Sequence, residues 1–305
     1  MAQRWVTAIV TAMALAASRP ALALFDDIPP SPRGRALGQA MIAGGSDAWS
    51  LHYNPALLPM LDYAQASGAT VDPSGLGFHR MTTLAIATPL PGKRGGLAIG
   101  WRRYGVESGD VSLATENTLS VGHGFTLFRD ASTSASVGWG LDFYNAEFGN
   151  SIGIAGDGSN GVNPGNAWSV GVNLGAVVSV YDRTRVGFFT RNVNSATIGD
   201  DAEELQRSVG FGLAYEPYIG VRTALDIRSI LGQDFRFHGG LEFEVVEGFD
   251  LRAGLETQPN RVTGGFGVKV PYVTLDYGFS TGGGVLDGSH HFGVSLRWDR
   301  APRTQ

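Results

Sequence analysis

The region from Tyr63 to Trp298 consists of short segments in which apolar and polar residues alternate, separated by turn residues. Period-two alternation is the pattern of β-strands, because successive side chains of a strand point to opposite faces. About fourteen segments can be distinguished, and many reach the roughly nine to eleven residues that a tilted strand needs to cross a bilayer. The pattern therefore predicts an all-β fold. The segments lie near residues 63–70, 81–89, 96–104, 115–128, 132–148, 166–180, 184–193, 207–215, 221–230, 234–246, 249–256, 261–270, 272–280 and 288–298.

The connections between these segments fall into two alternating sets. One set is tight, as at Arg129-Asp130 and Tyr181–Arg183, and the other is longer and polar, as at Gly105–Ala114, Gly149–Gly165 and Asn194–Gln206. Short turns at one end and long loops at the other are typical of outer-membrane barrels. A soluble β-sandwich is the alternative, because its buried core would produce the same alternation.

The amino terminus indicates export. Arg4 is followed by an apolar run, Trp5–Ala17, and by Ala21-Leu22-Ala23, which together are typical of a secretory signal peptide over residues 1–23. No later segment has the apolar length of a transmembrane helix. A membrane-spanning chain of this kind must be a closed barrel, since only helices and edge-free barrels satisfy every backbone group in lipid. We therefore predict a transmembrane antiparallel β-barrel of about 14 strands in the outer membrane of a Gram-negative bacterium, surrounded by outer-membrane lipid.

Composition and motifs argue against several other classes. The chain has no cysteine, although an exported protein could form disulfides. Lys and Arg number 23 against 28 Asp and Glu, which argues against nucleic-acid binding, since that requires a basic face. The motifs G-x-S-x-G and H-E-x-x-H and the phosphate-binding P-loop do not occur, and the adjacent His290 and His291 point to opposite faces of a strand. We predict no catalytic residues, no metal site and no cofactor, and hence that the protein is not an enzyme.

Each segment presents one apolar row and one mixed row. In a membrane barrel the apolar row faces lipid and the mixed row faces the lumen. Between Thr115 and Ser179 the mixed row is small and glycine-rich, so that another backbone could approach it closely. From Arg222 onward it carries charges of both signs, which predicts a salt-bridge network rather than the single-sign ring of an ion filter. The predicted lumen network comprises Arg228, Arg236, Glu242, Asp250, Arg252, Asp276 and Arg297.

The stretch Gly34–Pro59 differs from everything that follows it, because it is rich in small residues and has no period-two alternation. It predicts a short helix that Gly44-Gly45 end, with apolar positions at Ala36, Leu37, Ala40 and Met41. Pro55 excludes helical geometry at Asn54, so the chain should turn a corner there.

These features predict a helical hatch, residues 24–61, in the lumen of a barrel that spans residues 62–298. Gly34–Gly45 would pack against the glycine-rich sector of the wall, and residues 299–305 would form a periplasmic tail. The predicted gate residues are Asp47, Asn54, Pro55 and Ala56. An amphipathic cap on a soluble β-protein is the alternative.

Two stretches resemble a known family. The first, RALGQAMIAGGSDAWSLHYNPALL, is similar to the amino-terminal segment of the long-chain fatty-acid outer-membrane transporter (FadL-like) superfamily and its PorV/PorQ relatives. The matching positions include Leu37-Gly38, Asp47 and Asn54-Pro55-Ala56. The second, residues 251–298, is similar to the carboxy-terminal strands of the PorV/PorQ-type branch, with elements such as Leu275-Asp276-Tyr277.

The resemblance implies a fourteen-stranded barrel with an N-terminal hatch, and it offers two functions. The FadL branch moves hydrophobic small molecules such as long-chain fatty acids through a hatch-gated lumen, whereas the PorV/PorQ branch supports protein secretion. We expect transport of a hydrophobic small-molecule ligand, with a non-transporting accessory for secretion or envelope assembly as the alternative. The expected protein partners are the barrel-assembly machinery and, in the alternative, secretion-system proteins.

Overall fold

A computed structural model of the protein describes residues 25, 27–73, 79–92, 94–108, 111–149, 165–282 and 288–298. The predicted signal peptide and the predicted tail lie outside these residues. Fourteen strands form one closed antiparallel barrel. The first strand pairs with the last, from Ala64 opposite Trp298 to Asp72 opposite His290, and this pairing closes the sheet. The predicted all-β barrel of about 14 strands is confirmed.

The segments predicted from the alternation each correspond to one barrel strand. The barrel strands are β1 (Ala64–Asp72), β2 (His79–Pro89), β3 (Gly96–Ser108), β4 (Val111–Arg129), β5 (Thr133–Phe148), β6 (Asn166–Val180), β7 (Thr184–Arg191), β10 (Ser208–Tyr218), β11 (Val221–Ile230), β12 (Phe235–Val246), β13 (Phe249–Glu256), β14 (Arg261–Lys269), β15 (Val273–Ser280) and β16 (Ser289–Trp298). Two further strands, β8 (Thr197–Ile198) and β9 (Glu203–Glu204), pair with each other between β7 and β10. The predicted loop Gly105–Ala114 is wrong, because β3 and β4 continue to pair as far as Ser108 and Val111.

The two ends of the barrel differ in their connections. The short-turn end carries the turns after β2, β4, β6, β10, β12 and β14, and the long-loop end carries the other connections. In outer-membrane barrels short turns face the periplasm and longer loops face the exterior. This rule orients the barrel, with the start of β1 and the end of β16 at the periplasmic side.

Side chains along the strands alternate between exposed and buried. In β16, Phe292, Val294 and Leu296 are about half exposed, whereas His291 and Ser295 are buried. The apolar rows therefore face outward and the mixed rows face inward, as predicted. Among the described residues, no helix is both long enough and apolar enough to cross a membrane. The closed sheet with its apolar outer belt is the architecture of an outer-membrane protein, which is the predicted location.

Residues 27–61, called the lumenal segment below, lie inside the barrel and are mostly buried. They form two short α-helices, α1 (Pro32–Ala36) and α2 (Ser50–Tyr53), and a 3₁₀-helix (Pro55–Met60). α1 contacts β13 to β16, and the 3₁₀-helix contacts β2 to β6. The segment therefore crosses the lumen from one side of the wall to the other.

The helix predicted through Ala40 and Met41 is wrong in extent. Ser31 caps the start of α1 by accepting the N–H of Gly34 at 2.8 Å. The helix ends at Ala36, because Gly38 and Gln39 adopt positive φ angles of 58° and 66°. At the predicted corner, Asn54 is extended, with φ −170° and ψ 103°, as expected before a proline.

Glycines of the wall make room for the lumenal segment. A Cβ at Gly138 in β5 would overlap the Pro55 backbone, and one at Gly175 in β6 would overlap the Asn54 side chain. The glycine-rich sector therefore receives the Asn54 corner. The predicted packing of Gly34–Gly45 against this sector is wrong. Leu37 and Ile42 pack instead against glycines of β7, β10, β12 and β13.

The close approach at Gly138 can be tested with two alanine substitutions on the same face of β5. We expect Gly138→Ala to destabilise the protein by about 1–3 kcal/mol, because overpacking forces the Pro55 backbone away from the wall. Gly140→Ala is the matched control, since its Cβ would lie 3.6 Å from Asn173 Nδ2, an ordinary contact distance. Thermal unfolding in detergent, followed by gel mobility, gives the comparison. Equal unfolding temperatures for the two variants would contradict the close packing.

Candidate functional site

Asn54 ties the lumenal segment to the barrel wall. Its Nδ2 donates to the Ile42 carbonyl at 2.8 Å and to the carbonyls of two paired wall residues, Phe188 at 3.2 Å and Ala176 at 3.4 Å. Its Oδ1 accepts the N–H of Ala56 at 3.1 Å. The side chain is fully buried, so every one of these bonds replaces water. The predicted gate residues Asn54, Pro55 and Ala56 thus form one corner packed against the wall.

Asp47, the fourth predicted gate residue, lies apart from this corner, toward the short-turn end. Its Oδ2 accepts from Arg33 Nη1 at 3.2 Å, and its Oδ1 accepts the N–H of Trp49 at 3.0 Å. Arg33 Nε also donates to Glu242 of β12 at 2.8 Å. The predicted gate is therefore divided into an anchored corner and a charged link to the wall.

Glu242 and Arg252 form the centre of an ion cluster at the short-turn end. Three arginines donate to the Glu242 carboxylate at 2.7–3.1 Å: Arg33, Arg222 and Arg252. Arg252 in turn pairs with two further carboxylates, at 2.6 Å and 3.1 Å: Asp276 and Asp250. The side chains of Glu242 and Arg252 are only 5% and 1% exposed. Together with Asp47 and Lys269, which pairs with Asp250, these residues are called the short-turn cluster.

Four of the seven predicted network residues meet in this cluster, Arg297 lines the same cavity at the short-turn end, and Arg228 and Arg236 lie nearer the long-loop end. Arg228 Nη2 donates to the Gln39 carbonyl at 2.6 Å, nearer the long-loop end. Arg236 donates to the side chain of Gln233 at 2.6 Å. Arg297 donates to the hydroxyl of Tyr63 at 3.2 Å. Alternation fixes which face of the sheet a side chain occupies, but it does not fix its height along the barrel axis.

A second group of charges lies toward the long-loop end. The Asp27 carboxylate lies 2.7 Å from Arg191 Nη1, 3.4 Å from His52 Nε2 and 3.5 Å from Arg228 Nη1. Sequence reasoning missed Asp27 and Arg191. Asp27 lies in a proline-rich lead-in without periodicity, and Arg191 is the last residue of β7. No sequence pattern predicts that these two residues meet.

A third buried pair connects α1 to the wall. Arg35 Nη1 donates to Glu256 of β13 at 2.7 Å, and both side chains are 4% exposed. Gln39 Nε2 donates to the other carboxylate oxygen of Glu256 at 2.9 Å. A buried carboxylate requires partners of this kind, because an uncompensated charge in a low-dielectric interior is costly.

Wall side chains also bind the irregular backbone of the lumenal segment. Asp226 Oδ2 accepts the N–H groups of Met41 and Ile42 at 2.9 Å and 3.0 Å. Thr263 Oγ1 donates to the carbonyl of Ala36 at 3.0 Å. These bonds satisfy buried groups that a short helix leaves without partners.

Phe25 fills an apolar cluster at the long-loop end. Its ring lies edge-on to that of Tyr144, with 4.9 Å between the ring centroids. The other buried members are Ala146, Ala196, Ile198 and Leu205. Three of these belong to the connection between β7 and β10, so this connection folds over the mouth of the barrel.

The wall is interrupted beside this cluster. β6 begins at Asn166, but β7 pairs with it only over Leu174–Val180. Beyond β7, the Asn194 side chain makes the two hydrogen bonds that a paired strand residue would make. Its Oδ1 accepts the Val172 N–H at 3.0 Å, and its Nδ2 donates to the Val170 carbonyl at 2.8 Å. The sheet therefore continues at this point through the Asn194 side chain and one backbone bond, from the Val193 N–H to the Val172 carbonyl at 2.9 Å.

The described part of the lumen contains little free space. Two voids of about 30 Å³ lie between the lumenal segment and the wall, each with room for about one water. A bowl of about 240 Å³ opens onto the short-turn cluster. Among the described residues, no group of three or more His, Asp or Glu side chains could hold a metal ion. A molecule could pass through this lumen only if the lumenal segment moved.

The fold is shared with solved transport barrels. The toluene transporter TodX of Pseudomonas putida matches with a TM-score of 0.60 over 90% of this chain and 98% of its own, at 15% identity. The toluene transporter TbuX of Ralstonia pickettii matches with a TM-score of 0.60 over 88% of this chain and 98% of its own, at 12% identity. A FadL homologue of Pseudomonas aeruginosa gives 0.56 over 89% and 99%, at 14% identity. Identities this low establish a common fold alone. No protein-family profile and no curated protein matches the sequence.

The role of Asn54 can be tested with an isosteric change. We expect Asn54→Asp to destabilise the protein by about 2–3 kcal/mol, because a carboxylate would replace the Nδ2 donor in front of three carbonyl oxygens. Asn166→Asp, at the exposed start of β6, is the control. Denaturant unfolding in detergent measures both. An Asn54→Asp variant as stable as the control would show that the side-chain amide does not hold the corner.

The short-turn cluster makes a second prediction. We expect Glu242→Gln to lower the free energy of unfolding by about 3–5 kcal/mol, because it leaves buried arginines without their shared carboxylate. Glu216→Gln removes a pair with Arg222, whose side chain is 47% exposed, and should cost less than about 1 kcal/mol. Similar losses in the two variants, measured by the same unfolding titration, would contradict a central role for Glu242.

Proposed function

We propose that the protein transports hydrophobic small molecules across the outer membrane, through a lumen that the lumenal segment gates. Its fold matches, over about nine-tenths of the chain, barrels described as toluene transporters and as a monoaromatic hydrocarbon channel. The chain contains no cysteine, so no disulfide holds the lumenal segment to the wall. A plug of this kind can be displaced without breaking a covalent bond.

The proposal rests on two contacts that the start of the described chain makes with the inner face of the barrel wall at the long-loop end. The Phe25 ring fills an apolar cluster, and two residues later the Asp27 carboxylate pairs with Arg191. A long-chain fatty acid offers the same two groups, an apolar body and a carboxylate. We therefore propose hydrophobic carboxylic acids as the substrate class, with Phe25 and Asp27 occupying their place in the closed state.

Gating then has an anchored part and a mobile part. The Asn54-Pro55-Ala56 corner stays fixed, because wall carbonyls and wall glycines enclose it. The mobile part comprises Phe25 and residues 27–47, and Arg33 links it to Glu242 at the short-turn end. Passage requires Asp27 to leave Arg191, Arg33 to leave Glu242 and Arg35 to leave Glu256, and the bond from Asn54 to the Ile42 carbonyl to break.

Uptake in cells tests the proposal. The protein is expressed in a bacterial strain that lacks its own fatty-acid transporter, and uptake of a labelled long-chain acid and of labelled toluene is normalised to the amount of barrel in the membrane. We expect both compounds to enter faster than in cells with an empty vector. Arg191→Gln should slow uptake of the acid about tenfold and that of toluene much less, since only the acid carries a carboxylate. Arg236→Gln, outside these contacts, is the control.

Two outcomes would count against this substrate class. Equal slowing of the acid and toluene by Arg191→Gln would show that Arg191 only maintains the structure. If cells that contain the protein take up neither compound faster than cells with the empty vector, the proposal of transport is overturned.

The second candidate function is a non-transporting accessory to protein secretion or envelope assembly. The packed lumen favours it, because the voids beside the lumenal segment are only about 30 Å³ and the short-turn cluster closes the periplasmic side. The PorV/PorQ-like pattern of residues 251–298 supports the same reading. A wild-type protein that reaches the outer membrane but transports neither compound would favour this candidate.

A further inference from the structure

An apolar groove follows β1 on the outer face of the barrel. The outward residues of β1 are small, with Gly68 and Thr70 at its centre. Bulkier side chains flank them: Leu84 lies opposite Gly68 on β2, and Val294 and Phe292 lie opposite Gly68 and Thr70 on β16. The resulting groove has a volume of about 880 Å³.

The dimensions of the groove restrict what can enter it. Neighbouring strands lie about 4.8 Å apart, so the side chains of β2 and β16 stand about 10 Å apart before their own thickness is subtracted. An α-helix with its side chains is about 10–12 Å across and is too wide. A strand from a second copy has no free sheet edge to pair with, because the barrel is closed. A hydrocarbon chain lying along β1 fits the remaining width.

Two arginines lie on the same outer face, at the end of the groove nearest the long loops. Arg103 of β3 lies opposite Thr82, which lines the groove, and Arg80 lies opposite Gly105. The two arginines are therefore diagonal neighbours, with Cβ atoms about 7 Å apart, and Gly105 leaves the space between them open. Both are exposed, and neither forms an ion pair with a residue that the structure describes.

Other polar groups of this face are compatible with an anion. Asn117 of β4 lies opposite Arg103 and adds an amide donor. Asp72, at the end of β1, lies opposite His290 on one side and, by the register of β1 with β2, beside Arg80 on the other. Among the described side chains of this face, Asp72 partly balances Arg80, and Arg103 supplies the unbalanced positive charge. Guanidinium groups suit phosphate, because they can bind it with two parallel hydrogen bonds.

We propose that this surface binds a phosphorylated lipid of the outer leaflet, with an acyl chain in the groove along β1 and a phosphate between Arg80 and Arg103. The long-loop end faces the exterior in barrels of this type, so the arginines lie at the headgroup level of that leaflet. The groove runs from there toward the membrane centre, which is the direction that an acyl chain takes. The site does not depend on transport, since it lies outside the barrel.

Native mass spectrometry of the detergent-solubilised full-length protein tests the proposal, with lipid A and chemically dephosphorylated lipid A as probes. We expect the wild-type protein to retain lipid A at least about tenfold more strongly than the dephosphorylated form. The double variant Arg80→Gln/Arg103→Gln should lose this preference. Gly68→Leu should weaken binding of both probes, because it fills the groove. Its Cβ would lie 3.1 Å from the flexible end of the Leu84 side chain, so the strand can accept it.

Two controls separate the site from general effects on the barrel. Arg236→Gln removes an arginine elsewhere at the long-loop end, and Ala253→Leu enlarges an exposed outward residue on β13, outside the groove. Both should bind lipid A like the wild type. Equal retention of the two probes by the wild type would overturn the phosphate site. Unchanged binding in Gly68→Leu would overturn the groove, and a groove occupied by a second copy would appear as a dimer that Gly68→Leu abolishes.

Discussion

In hydrocarbon every backbone N–H and C=O must be bonded within the protein, and the pairing of β1 with β16 meets this requirement for the two strands that would otherwise be edges. Closure with 14 strands has a consequence for the interior. Eight strands leave a space that wall side chains can fill, whereas a wider barrel leaves a lumen that they cannot. The lumenal segment fills this space, and glycines of the inner wall leave room for it where a Cβ would overlap its atoms.

The lumenal segment is not a preformed plug. Its helices are four to six residues long, too short to bond their own backbones, so wall side chains complete the hydrogen bonding. Asp226 binds two of its N–H groups, and Asn54 of the segment binds two carbonyls of the wall. The wall and the segment therefore depend on each other for their buried polar groups. This explains why a small-residue stretch with weak helix signals is so deeply buried.

The sequence predicted the barrel well because alternation and turn residues are local signals. It placed the strands, their two faces and the corner at Asn54, where the proline restriction is also local. It did not predict the end of α1, where Gly38 takes left-handed geometry at a position at which a Cβ would overlap the wall backbone. It grouped Arg228 with Glu242, since both face inward, although they lie at different heights. The contact of Asp27 with Arg191 joins residues 164 positions apart, and no local pattern signals it.

The two ends of the lumen are closed by different interactions, and this difference bears on how it could open. At the long-loop end the Phe25 ring and the Asp27 carboxylate contact the inner wall, and the proposed hydrophobic acid could replace both. At the short-turn end ion pairs close the lumen, and an apolar molecule offers nothing to replace them. Arg33 and Asp47, however, belong to the same segment and pair with each other, while Glu242 keeps Arg222 and Arg252 when Arg33 leaves. The same segment, however, also carries Arg35, the partner of the buried Glu256, and Asp27, the partner of Arg191, so its withdrawal would leave charges on the inner wall that need new partners.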